Sequence, residues 1–224
     1  MNKTCALICA YNEEESIFDV IEKTKRYVKD VYVIDDGSTD RTREISLLAG
    51  ARVLSHPANK GKGAALKTGF SHVVDKDYDI IITLDADGQH LPEEIPFFID
   101  RISQGFDVVV GKRNFSHKSM PIQRKLTNKI YSQILSMRSR TRIYDPQCGF
   151  RAFRREILEK LIKTSESRGF PYEVEMLLKL AGEKASIGWI EISTVYLDGR
   201  KSKIKPFRHL LDSTRVCLSC LLNL

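Results

Sequence analysis

The stretch "IIITLDADGQH", residues 80–90, decides the fold. Its first five residues are an unbroken apolar and β-branched run, the pattern of a strand covered on both faces. The run ends abruptly on Asp85, Ala86 and Asp87, followed by Gly88, Gln89 and His90. Side chains at i and i+2 of a strand point the same way, so both carboxylates can face one ligand. Two like charges so close are costly unless a positive group stands between or above them. A hard divalent cation such as Mg2+ or Mn2+ meets that need, and Gln89 adds a further oxygen of the same kind. The other reading is a solvated acidic turn, because Asp-Ala-Asp-Gly is also good turn chemistry.

Outward from this stretch, apolar strands alternate with helical patterns. Strands are expected at 4–10, 31–34, 53–55, 80–84 and 108–110. Between them helices are expected from Glu14 to Val28, from Thr39 or Asp40 to Ala49, from Gly61 to Val74, and from Pro92. Asn12 or Ser16 is a candidate cap of the first helix, and Thr39 or Asp40 of the second. Strands and helices alternating at this spacing mean βαβ units and a mostly parallel sheet. The second half is less regular, with a helix at 121–137, a strand near 148–154, helices from Arg155 and from Glu173, and a strand at 187–195. No repeat, low-complexity segment or linker interrupts the chain, so residues 1–224 are expected to form a single domain.

In open parallel sheets ligands bind at the carboxyl ends of the strands. The polar clusters "CAYNEEE", "DDGSTD", "HPANKGKG" and "DADGQH" follow the first four strands, so one edge of the sheet carries four candidate loops. In the second loop, turn and cap roles account for Ser38 and Asp40 better than for Asp35 and Asp36. The third lacks the spacing of a P-loop, although the N–H groups of a helix start can still meet an anion.

Composition narrows the class. With 42% hydrophobic and 29% charged residues the 224-residue chain is that of a globular protein. The net charge of +7 is unevenly spread, since nine lysines and arginines lie between Lys112 and Arg142 without one acid. That run is either a solvated face or a surface for phosphates on a substrate, lipid headgroup or nucleic acid. The five cysteines show no disulfide or zinc framework, and Cys217-x-x-Cys220 has no second pair. This suits a reducing cytoplasm. Met1 leads straight into a strand, so no signal peptide is expected. No segment has the ~18 consecutive apolar residues of a membrane span. Residues 204–224 instead read as a basic amphipathic segment, which can lie on a membrane surface or pack on its own domain.

Taken together, "AYNEEESI", "VIDDGSTDRT", "NKGKGAALKTGF", "TLDADGQHLPEEIP", "VVVGKR", "DPQCGFRAF" and "SKIKPFRH" resemble the family 2 glycosyltransferases over nearly the whole chain. Within that family the likeness is to the dolichol-phosphate mannose synthase-like, polyprenyl-phosphate branch. The resemblance implies an α/β chain with the GT-A fold, a Rossmann-like three-layer α/β/α arrangement about a mostly parallel sheet. It implies an inverting, metal-dependent hexosyltransferase using Mg2+ or Mn2+. The donor would be a nucleotide-diphosphate sugar (GDP-mannose or a UDP-hexose), and the acceptor a polyprenyl phosphate. Position by position, it implies that Cys9, Tyr11, Glu13, Ile34, Asp36, Asp85 and Ala86 hold the nucleotide sugar. Asp87 and Gln89 hold the metal, Asp87 and Arg113 are catalytic, and Arg113, Arg124 and Lys203 hold the acceptor phosphate, with Asp87, Arg113 and Lys203 also touching the donor. Two departures stand out. Cys9 replaces the proline usual in the mannose synthases, and "DGRKSK" lacks their arginine just before the Ser-Lys pair, with Arg200 as a possible substitute. Both bear on the base and the sugar.

The charge balance of transfer follows. A polyprenyl phosphate oxygen is ionised at neutral pH and needs no strong base, whereas a hydroxyl acceptor needs a carboxylate base. Glu173 or Glu175, in "YEVEM", is the candidate for that second case, which corresponds to a family 2 enzyme of polysaccharide or glycan synthesis. The basic run then has a task in positioning the anionic acceptor. The expected setting is peripheral, on the cytoplasmic face of a membrane, with a membrane-protein partner through the C-terminal segment as a further possibility. A nucleotidyltransferase would show a basic glycine-rich loop after the first strand, where this chain has the acidic "AYNEEE". A receiver domain would carry its acid pair after the first strand, not the second. Nucleic-acid binding explains the basic run but not the acidic edge, so no nucleic-acid partner is expected.

Overall fold

A computed structural model describes residues 2–113, 122–139, 142–164 and 172–195. Seven strands form one sheet: β1 (Thr4–Ala10), β2 (Asp30–Asp35), β3 (Arg52–Ser55), β4 (Ile80–Asp85), β5 (Val108–Arg113), β6 (Arg151–Arg154) and β7 (Ile187–Ile192). Their spatial order is β3-β2-β1-β4-β6-β5-β7, and only β6 runs antiparallel to its neighbours. The expected mostly parallel α/β sheet is therefore present, with β6 inserted between β4 and β5. β6 starts at Arg151, three residues after the expected Cys148, because Cys148–Phe150 leaves the ladder and crosses the end of β4.

Helices cover both faces. α1 (Ile17–Lys25) packs with α2 (Thr42–Leu48) on one face, while α3 (Lys62–Val73), α6 (Arg155–Thr164) and α7 (Tyr172–Gly182) pack together on the other. α4 (Ile95–Ser103) follows a 3-10 turn opened by Pro92, and α5 (Ile122–Ser139) lies against α7. The helices form because their apolar residues fall on one stripe: Ile17, Val20, Ile21 and Thr24 of α1 are buried, as are Ile95, Phe98 and Ile102 of α4. Strands β1, β2 and β4 are buried on both faces along most of their length, as their uninterrupted apolar runs require. Among the described residues no helix is long and apolar enough to cross a membrane. Residues 204–224 lie outside the described residues.

The cap assignments are corrected. Asn12 adopts φ 55° and its Oδ1 accepts the N–H of Thr39, so it ties the first loop to the second rather than starting α1. Ser16 does stand at the N-cap position of α1, as expected, but makes no side-chain cap bond, and its hydroxyl donates instead to the carbonyl of Ala86 at 2.8 Å. Asp40, not Thr39, serves the second helix, accepting the N–H and the hydroxyl of Thr42. For Asn12 and Ser16 a side chain that local rules allot to its own helix is claimed by a neighbouring loop. That converts four separate loops into one rim.

Candidate active site

The rim forms at the carboxyl ends of β1, β2, β3 and β4. Asp36 organises its left half. Its carboxylate accepts the backbone N–H groups of Lys60 (3.0 Å) and Gly61 (2.7 Å) and lies 2.7 Å from His56 Nδ1, whose Nε2 meets Thr68 Oγ1. Asp35 turns back to accept the N–H of Ser38. The first loop is clasped from the same side, since the N–H of Asn12 donates to Ser38 Oγ and that of Glu13 to Thr42 Oγ1. Tyr11 at this rim has 39% of its surface exposed, whereas Ile34 is fully buried.

The right half centres on Asp85. Lys62, the first residue of α3, places its ammonium 2.5 Å from Asp85 Oδ1 and 2.9 Å from Glu173 Oε1 of α7. Cys9 lies beside Asp85 in the β1–β4 register. Burial alone would raise the pKa of Asp85, but Lys62 outweighs it and His90 adds to the effect, holding the carboxyl down at about 2. Burial likewise opposes the charges on Lys62 and Glu173. The attraction of Asp85 and Glu173 wins for the lysine, which is shifted up, and that of Lys62 and Arg151 wins for the glutamate, which is shifted down. His90 is buried against Phe150, and its Nδ1 accepts the N–H of Asp85, which leaves the proton on Nε2 in the neutral ring. Desolvation, against the pull of the nearby aspartates, lowers its pKa and favours that neutral form.

Gly149 passes directly over this cluster. A Cβ there would stand 2.5 Å from Asp85 Oδ1 and 2.7 Å from Lys62 Nζ, so a side chain at this position would force the bridge to shift. Its carbonyl accepts the Thr83 hydroxyl at 2.7 Å. Arg151, fully buried, fixes the surrounding backbone by donating to the carbonyls of Cys148, Pro146 and Glu173.

Asp87 and Gln89 sit half-buried on the turn that follows Asp85, with the N–H of Gln89 donating to Asp87 Oδ1 at 3.0 Å. The turn is tight, and Gly88 takes φ 74°. The turn expected of this stretch is present. Asp87 and Gln89 bring one carboxylate and one amide side chain to this turn. Among the described residues no group of three or more His, Cys, Asp or Glu side chains forms a metal cage. Two oxygen donors on an open turn suit a hard cation that takes its remaining ligands from phosphates and water, not one that needs a closed protein site.

Arg113 ends β5 and forms a bidentate pair with Asp145, Nε to Oδ2 at 2.7 Å and Nη2 to Oδ1 at 2.8 Å. Asp145 is completely buried. Burial works against the arginine's charge, but the bonds to Asp145 prevail and its pKa is raised. Next to this pair Tyr144 lies between two cations, with Lys112 Nζ 5.0 Å and Arg142 4.9 Å from its ring centre, and Trp189 edge-on to it. Of the remaining expected residues, Arg124 falls in α5 with its side chain outside the described residues, and Lys203 lies outside them altogether. Sequence reading passed over Lys62, His90, Asp145 and Gly149 as site residues. All four stand in the motifs quoted for the family likeness, and what was missing was any sign of which acid each would meet.

A family model described as glycosyl transferase family 2 matches residues 5–162. The chain belongs to that family. A family 2 glycosyltransferase can be read across its relatives. One is an uncharacterised protein of Methanocaldococcus jannaschii, 30% identical over 202 residues that cover 88% of this chain and 83% of the relative. Another is the undecaprenyl-phosphate 4-deoxy-4-formamido-L-arabinose transferase of Salmonella paratyphi B, 34% identical over 76% of this chain. This glycosyltransferase spans about half the length of that relative, 54% of it. Among solved structures, glucosyl-3-phosphoglycerate synthase of Mycobacterium tuberculosis, in complex with Mn2+, uridine diphosphate and glucosyl-3-phosphoglycerate, superposes with a TM-score of 0.73. The match covers 99% of this chain and 79% of that one at 20% identity. The family 2 glycosyltransferase therefore has the GT-A fold that its sequence led one to expect.

Proposed function

We propose that this glycosyltransferase moves a hexosyl group, with inversion at the anomeric carbon, from a nucleoside-diphosphate sugar to a polyprenyl phosphate at a membrane surface. The observation that carries the acceptor assignment is the state of the two acids a hydroxyl acceptor would call on. Glu173 is bound to Lys62 with its pKa lowered, and Glu175 is paired with Lys179 at 3.0 Å. A carboxylate stabilised in its ionised form is a poor proton acceptor. An acceptor that arrives already ionised needs none. The relative that acts on undecaprenyl phosphate supports the same class.

In this reading Tyr11, Glu13, Asp36, Asp85 and Ala86 face the donor's nucleoside, with Cys9 and Ile34 lining the floor beneath it. Asp87 and Gln89 hold Mg2+ or Mn2+ with the donor diphosphate, and the cation neutralises charge that grows on the leaving group. The solved relative that contains Mn2+ and uridine diphosphate supports a divalent ion of this kind. Arg113, fixed in direction by Asp145, stands where β5 ends, and Arg124 and Lys203 join it in holding the acceptor phosphate. Tyr144 between Lys112 and Arg142, with Trp189 beside it, is the pairing of aromatic rings and cations that suits an anionic membrane interface. The chain acts as a single domain, peripheral on the cytoplasmic face, with residues 204–224 against the membrane.

The test is transfer of radiolabelled sugar from GDP- and UDP-hexoses to dolichyl or undecaprenyl phosphate in detergent, with Mg2+ or Mn2+. Labelled lipid is the expected product, and Asp87→Ala should abolish divalent-dependent nucleotide binding. Metal-dependent transfer only to soluble hydroxyl acceptors would overturn the assignment.

A further inference from the structure

Glu94 stands at the N-cap position of α4, yet its side chain makes no cap bond there. The carboxylate reaches a distant part of the chain instead, where Oε1 accepts the N–H of Ser193 at 2.8 Å. Its other oxygen, Oε2, is buried and has no hydrogen-bond partner among the described residues. A buried oxygen without a partner is destabilising, whereas an acid turned onto the first N–H groups of its own helix would have been stabilised by them. Folding alone therefore does not account for where this carboxylate points.

What Ser193 leads to is the turn after β4. β7 ends its pairing with β5 at Ile192, opposite Arg113, and the residues that follow bond to the stretch 89–94. Val195, two residues beyond Ser193, donates its N–H to the carbonyl of Gln89 at 3.1 Å. The N–H of Gln89 donates in turn to Asp87 Oδ1 at 3.0 Å. Both backbone polar groups of Gln89 are thus engaged, and Asp87 and Gln89 are tied in series to residues 193–195. The turn needs such ties, because Gly88 within it takes φ 74° and a glycine leaves the backbone wide freedom. At its other end the Ser16 hydroxyl already holds the carbonyl of Ala86.

We propose that Glu94 is a positioning residue for the divalent cation: by gripping Ser193 it seats Val195 on the Gln89 carbonyl, and so keeps Asp87 and Gln89 in the relative geometry that binds the ion. The inference rests on the reading of Asp87 and Gln89 as the metal pair, and it adds a residue that touches neither metal nor substrate. Loss of the grip leaves both ligands in place on a looser turn. The cation then binds more weakly, while contacts to the nucleoside are kept.

The test is Mn2+ titration, read from the paramagnetic resonance of the free ion, onto the wild type and onto Glu94→Ala, Glu94→Gln, Val195→Pro and Asp87→Ala, with UDP and with GDP in turn. Hydrogen exchange of the Ser193 and Val195 amides in metal-free protein reads the grip itself. Glu94→Ala should open both amides to exchange and raise the half-saturating Mn2+ concentration about tenfold, the lower end of what losing an outer hydrogen bond does to a metal site. Its affinity for nucleotide in the presence of a chelator should stay that of the wild type. Glu94→Gln keeps an oxygen for the Ser193 N–H and should recover most of the loss. Val195→Pro removes the donor to Gln89 and should weaken Mn2+ binding as Glu94→Ala does, so it carries the test if Glu94→Ala fails to fold. A purely structural glutamate would lower the melting temperature and leave the Mn2+ affinity of the folded protein alone. Wild-type Mn2+ affinity in folded Glu94→Ala or in Val195→Pro, or an equal loss of metal-free nucleotide binding, would overturn the inference. Wild-type Mn2+ affinity in Asp87→Ala, or no Mn2+ binding by the wild type with either nucleotide, would overturn instead the metal reading beneath it.

Discussion

Replacing Arg113 by methionine removes the guanidinium that pairs with Asp145, and the consequence can be worked out from the pair's geometry. Asp145 has no exposed surface and accepts three bonds from this one residue, Nε at 2.7 Å, Nη2 at 2.8 Å and the backbone N–H at 3.2 Å. Only the weakest survives the substitution. Breaking a buried pair by removing one partner costs about 3–5 kcal/mol, because the remaining charge is left without compensation. For a chain of this size each kcal/mol lowers the melting temperature by about 2–4 °C, so Arg113→Met should melt roughly 6–20 °C below the wild type. Adding Asp145→Asn removes the stranded charge, and the double variant should regain at least half of the loss. Differential scanning calorimetry with guanidinium titrations measures both steps. If Arg113 also holds the acceptor phosphate, the double variant recovers stability without recovering transfer. A single variant that melts within about 2 °C of the wild type, or a double variant with no recovery, would refute the reasoning.

Two further outcomes follow from the same site. Gly149→Ala places a methyl group 2.5 Å from Asp85 Oδ1 and 2.7 Å from Lys62 Nζ, so it should cost about 1–3 kcal/mol and weaken nucleotide binding. Thermal melts with and without nucleotide measure both, and an unchanged melt would count against the contact. Glu173 gives a pH dependence of definite sign. Burial pushes its pKa up but Lys62 and Arg151 outweigh that, so the folded value lies below the unfolded one of about 4.3. Its contribution is then complete above that unfolded value and is lost as pH falls through the folded one. Wild-type melting temperature should drop more steeply than that of Glu173→Gln as pH falls below about 4. Parallel profiles would show that the carboxylate adds nothing.

Much of the fold was legible because burial writes itself into composition. β1, β2 and β4 are covered on both faces, and a strand in that position can carry little but apolar residues. The helical stripes of α1 and α4 are equally direct. The insertion of β6 between β4 and β5 was not legible, since Arg151–Arg154 reads as a short strand whichever neighbour it takes and whichever way it runs. The caps misled for a related reason. Asn12 and Ser16 are good cap residues, but a loop packed against other loops offers them partners that local propensity does not weigh.

The site divides along the same line. Residues that stand close in the chain, such as Asp85, Asp87 and Gln89, are visible as a motif because their spacing alone puts them at the end of one strand and on the turn that follows it. Lys62, Asp85 and Glu173 stand on three elements, and Arg113 and Asp145 on two, so nothing in the order of residues marks them as partners. By itself the sequence determined the alternation of strands and helices, the acidic edge and the family, all of which depend on local spacing and on which side chains water rejects. The tertiary structure decided which charge neutralises which. Electrostatic attraction acts through space at a few ångströms, and only the folded sheet brings α3, β4 and α7 to that distance.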